Sequence, residues 1–138
     1  MDKHLNDSEV LLKLRGAGLR PTRQRVALAN LMFVNGDRHM TAEALHKEAV
    51  GAGISVSLAT VYNTLNQFTD VGLLREIAVD SGRSYFDTNT GDHHHFYFES
   101  NGELMDIPSE EVEFAKIPTA PNGARIARVD VVVRIDNN

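Results

Sequence analysis

No cysteine occurs among the 138 residues, which excludes disulfides, thiolate metal sites and thiol nucleophiles. No apolar run is long enough to cross a bilayer, so no membrane partner is expected. Met1-Asp2-Lys3-His4 lacks the apolar core of an export signal, and the expected location is the cytoplasm. A His-Glu-x-x-His helix is missing and no residue stands out as a general base, which weighs against a metalloenzyme that would hold a catalytic zinc through histidines. What remains, at 42% apolar residues, can build one ordinary domain or two small ones.

Charge is scarce where it is usually abundant. In Ser57 to Leu74, Leu58, Val61, Leu65 and Phe68 recur at helical spacing as an apolar stripe. The remaining face carries Ser57, Thr60, Asn63, Thr64 and Gln67, with Tyr62 on the flank, and none of these is charged. Short amides, hydroxyls and a phenol suit base edges in a major groove, with phosphate contacts left to neighbouring segments. An amphipathic helix with a merely uncharged outer face is the plainer alternative.

The surrounding segments favour the first reading. Gly72 ends the helix, and Arg75 to Val79 and Arg83 to Asp87 form two strand-like runs around the turn Asp80-Ser81-Gly82. Three helices are expected before it: Asn6 to Gly16, Thr22 to Val34 behind Pro21, and Thr41 to Val50 capped by Thr41. Helices followed by a hairpin are the order of a winged helix. The net charge of −5 does not oppose nucleic-acid binding, because residues 1–87 balance to zero and residues 88–138 carry the whole deficit. Between Val10 and Leu28 stand Lys13, Arg15, Arg20, Arg23 and Arg25 with no acid, a candidate phosphate-contacting surface.

A polar hinge is expected at residues 88–91. Beyond it, Phe96-Tyr97-Phe98, Glu103 to Ile107 and Arg125 to Ile135 read as strands, with Asn101-Gly102 as a hairpin turn and a short helix starting at Ser109-Glu110-Glu111. About fifty residues make a small core, so pairing with a second copy is expected, which would present two reading helices to a two-fold symmetric site. The expected class is α+β, with a winged-helix DNA-binding domain over 1–87 and a dimerisation and sensing domain over 92–138.

His93-His94-His95 is the second site signal. On a strand, His93 and His95 point one way and His94 the other. Imidazoles bind zinc, iron, manganese and haem iron, and carboxylates complete such sites for harder ions. His4, His46 and His39, taken singly, read as solvated surface. A haem or metal carrier without DNA binding is a rival reading.

Five strings together resemble the ferric uptake regulator superfamily: Gly18-Leu19-Arg20-Pro21-Thr22-Arg23-Gln24-Arg25, His39-Met40-Thr41-Ala42-Glu43, Ala59-Thr60-Val61-Tyr62-Asn63-Thr64-Leu65, the three histidines, and Gly102-Glu103-Leu104-Met105-Asp106. The histidine triplet and the Asn63-Thr64 pair are similar to the iron response regulator branch of alphaproteobacteria. The resemblance implies a homodimeric regulator that binds an operator in double-stranded DNA. It also implies a regulatory site for iron(II) or manganese, or zinc in vitro, on His39, Asp87, His95 and Asp106. A second site would draw on Asp92, His94 and Glu113, but its last histidine is replaced by Val129. The cysteine pairs that hold a structural zinc in many relatives are absent, with Phe98 and Asn101 in place of the first pair. The iron response branch further implies control of iron homeostasis and haem synthesis, with haem releasing DNA. Lacking cysteine, this chain would have to hold haem through His93, His94 and His95.

Overall fold

The computed structural model describes residues 7–80 and 82–136, so the expectations placed on His4, Asn6 and Ser81 lie outside the described residues. The chain divides into two compact units, one up to Thr90 and one from Gly91. No helix among the described residues is long and apolar enough to cross a membrane.

The first unit has four helices and a small sheet: α1 (Asp7–Gly16), α2 (Arg23–Phe33), β1 (His39–Met40), α3 (Ala42–Gly51), α4 (Leu58–Asp70), β2 (Arg75–Asp80) and β3 (Arg83–Asp87). The helix starts follow local chemistry. Thr22, Thr41 and Ser57 are N-caps in extended conformation, and each side-chain oxygen accepts the backbone N–H three residues on. Gly72 stops α4 at φ 82°, a conformation that favours glycine. The strands pair antiparallel in the order β1-β3-β2, and Gly82 at φ 80° serves the hairpin. Val10, Leu14, Leu28, Met32, Leu45, Val61, Leu65 and Phe68 are fully buried in one core, where the rings of Phe33 and Phe68 stack at 6.4 Å.

Two residues of the α4 pattern depart from expectation. Leu58, the first residue of α4, is 36% exposed. Thr64 is only 5% exposed and its hydroxyl donates to the Thr60 carbonyl at 2.9 Å. It stands three residues after Val61 and four before Phe68, which places it on the buried side of a 3.6-residue helix. Thr64 is therefore largely buried, although it still lines the groove on the outward side of α4.

The second unit is a three-stranded sheet in the order β5-β4-β6, from β4 (His93–Phe98), β5 (Glu103–Pro108) and β6 (Val132–Ile135). All three histidines are inside β4 rather than ahead of it. β4 and β5 form the expected hairpin, with Gly102 at φ 74°, and the short helix is a single 3-10 turn, Ser109–Glu111. The long final strand is not realised: only its last four residues pair, parallel to β4 with Val132 against His95. Carrying that register backwards would set Arg125 to Val129 against residues 88–92, the polar hinge, which is not a strand. The alternating apolar pattern there has no ladder to join, and Ile126 stays 44% exposed.

Candidate DNA-reading face and metal centre

The outward face of α4 presents Ala59, Tyr62, Asn63, Asn66 and Gln67 in exposed positions, with Ser57 at its start and Thr60 half-buried. Asn66 was not singled out from the sequence, although the same 3.6-residue period places it four residues after Tyr62. A groove of about 290 Å³ runs along this face, lined by Thr22, Gln24, Arg25, Thr60, Asn63, Thr64 and Gln67. It joins the start of α2 to the outward face of α4.

The cations of that region divide by role. Arg15, Arg20 and Arg23 are exposed. Lys13 is committed to the Phe33 ring, 4.7 Å from its centroid. Arg25 is committed too, donating to the Arg20 carbonyl at 3.0 Å and to Gln67 Oε1 at 3.2 Å. A guanidinium only donates, so the Gln67 amide oxygen must face Arg25 and its NH2 group is turned away. His46, half-buried, uses Nε2 to donate to the Val56 carbonyl at 3.1 Å and ties α3 to the segment before α4.

The wing sheet also carries ligand chemistry. His39 on β1 lies in register with Asp87 on β3, with His39 Nε2 3.2 Å from Asp87 Oδ2. Asp87 is 1% exposed, and its Oδ1 accepts the Asn89 N–H at 2.9 Å. Arg75, also buried, is the residue opposite Asp87 on the other flank of the sheet. Next to His39, the Arg38 N–H donates to the Thr88 hydroxyl at 2.8 Å and the Arg38 guanidinium forks onto Glu48 of α3 at 2.9 and 2.6 Å. The Arg38 hydrogen bond holds the Glu48 carboxyl below its usual range. Its contribution is therefore present above the ordinary carboxylate pKa and is lost as pH falls through the lowered value.

In the second unit, His95 pairs in register with Asp106, and cross-strand neighbours share a face. His93 and His95 point to that same face with ring centroids 4.5 Å apart, and their Nε2 atoms stand 3.4 and 3.5 Å from Asp106 Oδ1. His93 Nδ1 lies 2.7 Å from the Gly91 carbonyl. A carbonyl only accepts, so Nδ1 carries a proton and Nε2, the nitrogen facing Asp106, is the one placed to bind a cation, the usual second-shell arrangement of a metal-binding histidine. His93, read from the sequence only as a haem residue, thus joins the candidate metal donors. The signal was the period-2 alternation that separates it from His94.

His94 points the other way, its ring 5.8 Å from Phe114. Its Nδ1 accepts the Val131 N–H at 3.1 Å, so the proton is on Nε2 and that nitrogen has no lone pair for a cation in this arrangement. Asp92 and Glu113 are exposed, and among the described residues the structure does not gather them with His94 into a donor group.

Comparison with known proteins identifies the family. Residues 16–134 match the Ferric uptake regulator family. The ferric uptake regulation protein of Pseudomonas aeruginosa is 36% identical over 102 residues, covering 73% of this chain and 76% of that protein. The peroxide-responsive repressor PerR of Staphylococcus aureus is 34% identical over 99 residues, covering 72% of this chain and 66% of its own length. Among solved structures, the ferric uptake regulator from Pseudomonas aeruginosa with manganese aligns at a TM-score of 0.71 and 29% identity, over 91% of this chain and 96% of the other. The chain belongs to the Ferric uptake regulator family, and it is a metal-responsive, DNA-binding transcriptional regulator rather than an enzyme.

Proposed function

We propose that this protein is a cytoplasmic repressor that a single divalent ion, iron(II) or manganese, converts to its DNA-binding form, with the ion held jointly by His39 and Asp87 from the first unit and His93, His95 and Asp106 from the second. The observation that carries this reading is the pair of prepared half-sites. Each combines imidazole with carboxylate, the mixture that suits borderline and hard divalent ions, and in each a backbone group fixes a ligand: Asn89 N–H on Asp87, the Gly91 carbonyl on His93. Only five residues separate Asp87 from His93 in the chain, so each unit contributes a ligand close to the junction between them in sequence. A bound ion would supply the link that fixes how paired reading helices are spaced, and it would favour the DNA-competent state by its differential affinity for that state.

The α4 residues Tyr62 and Asn63 are proposed to read base edges, and Arg15, Arg20 and Arg23 to contact phosphates, with Arg25 acting by orienting Gln67. Asn63→Ala should cost roughly 1–3 kcal/mol on operator DNA and little on random DNA. Equal loss on both would remove Asn63 from the base-reading set. Arg23→Ala should weaken both kinds of DNA alike and reduce the slope of log affinity against log salt by about 1, whereas an unchanged slope would take it out of the interface.

Haem control, with His93, His94 and His95 as ligands and haem releasing DNA, rests on the resemblance to the iron response branch, as does a role in iron homeostasis and haem synthesis. The metal reading comes first because the three imidazoles are only 5%, 6% and 2% exposed and two of them face Asp106, which suits a small cation better than a porphyrin. The deciding experiment is operator affinity of the pure protein with no addition, with manganese, with anaerobic iron(II) and with haem. Tightening by manganese or iron(II) supports the proposal. No metal effect together with release by haem would replace it with the haem reading.

A further inference from the structure

Tyr62, on the outward face of α4, carries a hydroxyl that already has a fixed carboxylate partner. The phenol donates to Glu43 Oε2 at 2.7 Å, the short distance of a charge-assisted bond. Glu43 belongs to the first turn of α3, so the bond ties two helices together at the surface. Tyr62 is 37% exposed and borders a cleft of about 270 Å³ whose far wall includes Arg83 and Tyr85 of the wing.

We propose that Glu43 is a positioning and specificity-determining residue for DNA reading, acting by taking the Tyr62 hydroxyl hydrogen and so fixing both the direction of the phenol and its hydrogen-bonding polarity. The inference rests on the proposal that α4 enters the major groove. With its hydrogen committed, Tyr62 offers DNA only oxygen lone pairs and an aromatic ring. It can accept from the amino group of adenine or cytosine and pack on a thymine methyl, but it cannot donate to guanine O6 and N7 or to thymine O4. The bond holds the Glu43 carboxyl below its usual range and pushes the Tyr62 phenol up, so the acceptor stays ionised and the donor stays protonated at neutral pH.

A carboxylate beside DNA also repels phosphate, and this gives the proposal a second, opposite signature. Removing Glu43 should raise affinity for random DNA while lowering the preference for operator over random DNA. An acid that only supports the start of α3 would instead change thermal stability and leave the preference untouched.

The test measures the operator-to-random affinity ratio at fixed salt, with thermal melting alongside, for Glu43→Ala, Glu43→Gln, Tyr62→Phe, Tyr62→Ala and the double variant Glu43→Ala/Tyr62→Phe. Glu43→Ala is expected to cut the ratio about threefold to tenfold, the span of one net hydrogen bond. Glu43→Gln should keep most of the ratio, because its amide oxygen still accepts the hydroxyl, and should bind both DNAs more tightly. The double variant should discriminate no worse than Tyr62→Phe alone. If Tyr62→Ala lowers the ratio and Glu43→Ala does not, or if the double variant loses the sum of the two effects, the inference is overturned and base reading by α4 stands. If Tyr62→Ala also leaves the ratio unchanged, base reading by Tyr62 fails and takes this inference with it.

Discussion

A His39→Ala variant will bind operator DNA no more tightly with manganese than without it. His39 is half-buried on a two-residue strand, and its imidazole meets Asp87, not the apolar core, so the substitution removes a ligand while leaving Leu45, Val61 and Phe68 in place. An effector that couples to DNA binding typically changes affinity by about 5- to 150-fold, and that whole factor is what the variant loses. Altering even an outer-shell partner of a metal ligand costs about 10- to 100-fold in metal affinity, so loss of a direct ligand should cost at least that much. The measurement is a fluorescence-anisotropy titration at matched salt with and without manganese, since the phosphate term alone moves apparent affinity. A variant that tightens on DNA as the native protein does would remove His39 from the regulatory site.

Phe68→Ala will destabilise the DNA-binding unit by about 3–5 kcal/mol. Phe68 is fully buried on α4 and stacks on Phe33 of α2 with an interplanar angle of 14°, so its removal leaves a void between α4 and the helix that bears Arg23 and Arg25. A unit of this size loses roughly 4–8 °C of melting temperature per kcal/mol, so the first transition should fall by more than about 12 °C. Phe68→Leu, which keeps much of the volume, should fall far less. A shift of under 3 °C for Phe68→Ala would mean that α4 is not anchored through this ring.

Much of the first unit was legible because its signals are local. Thr22, Thr41 and Ser57 mark helix starts by side-chain capping, Gly72 and Gly82 mark turns by backbone freedom, and the stripe Val61, Leu65 and Phe68 marks the buried side of α4. Thr64 is less exposed than its residue type suggests, because its angular position between Val61 and Phe68 turns it inward to 5% exposure. The second unit was less legible because the fate of Arg125 to Ile135 depends on which backbone lies alongside, and alternation along one strand carries no information about that. In the site, alternation foretold that His93 and His95 part company with His94. The meeting of His39 with Asp87, 48 residues apart, depends on sheet register and was reached only through family resemblance. Hydrogen bonds that set tautomers, such as His93 to the Gly91 carbonyl and Val131 to His94, are tertiary facts with no local sequence signature.

The central claim is that one ion takes ligands from both units, and manganese titration followed by electron paramagnetic resonance tests it most directly on the native chain, His39→Ala and Asp106→Asn. His39 belongs to the first unit and Asp106, with its side chain 46% exposed, to the second. One tight manganese per native chain, with the tight site lost in each single variant, is the predicted result. Two independent sites, or full-affinity manganese retained in either variant, would contradict it.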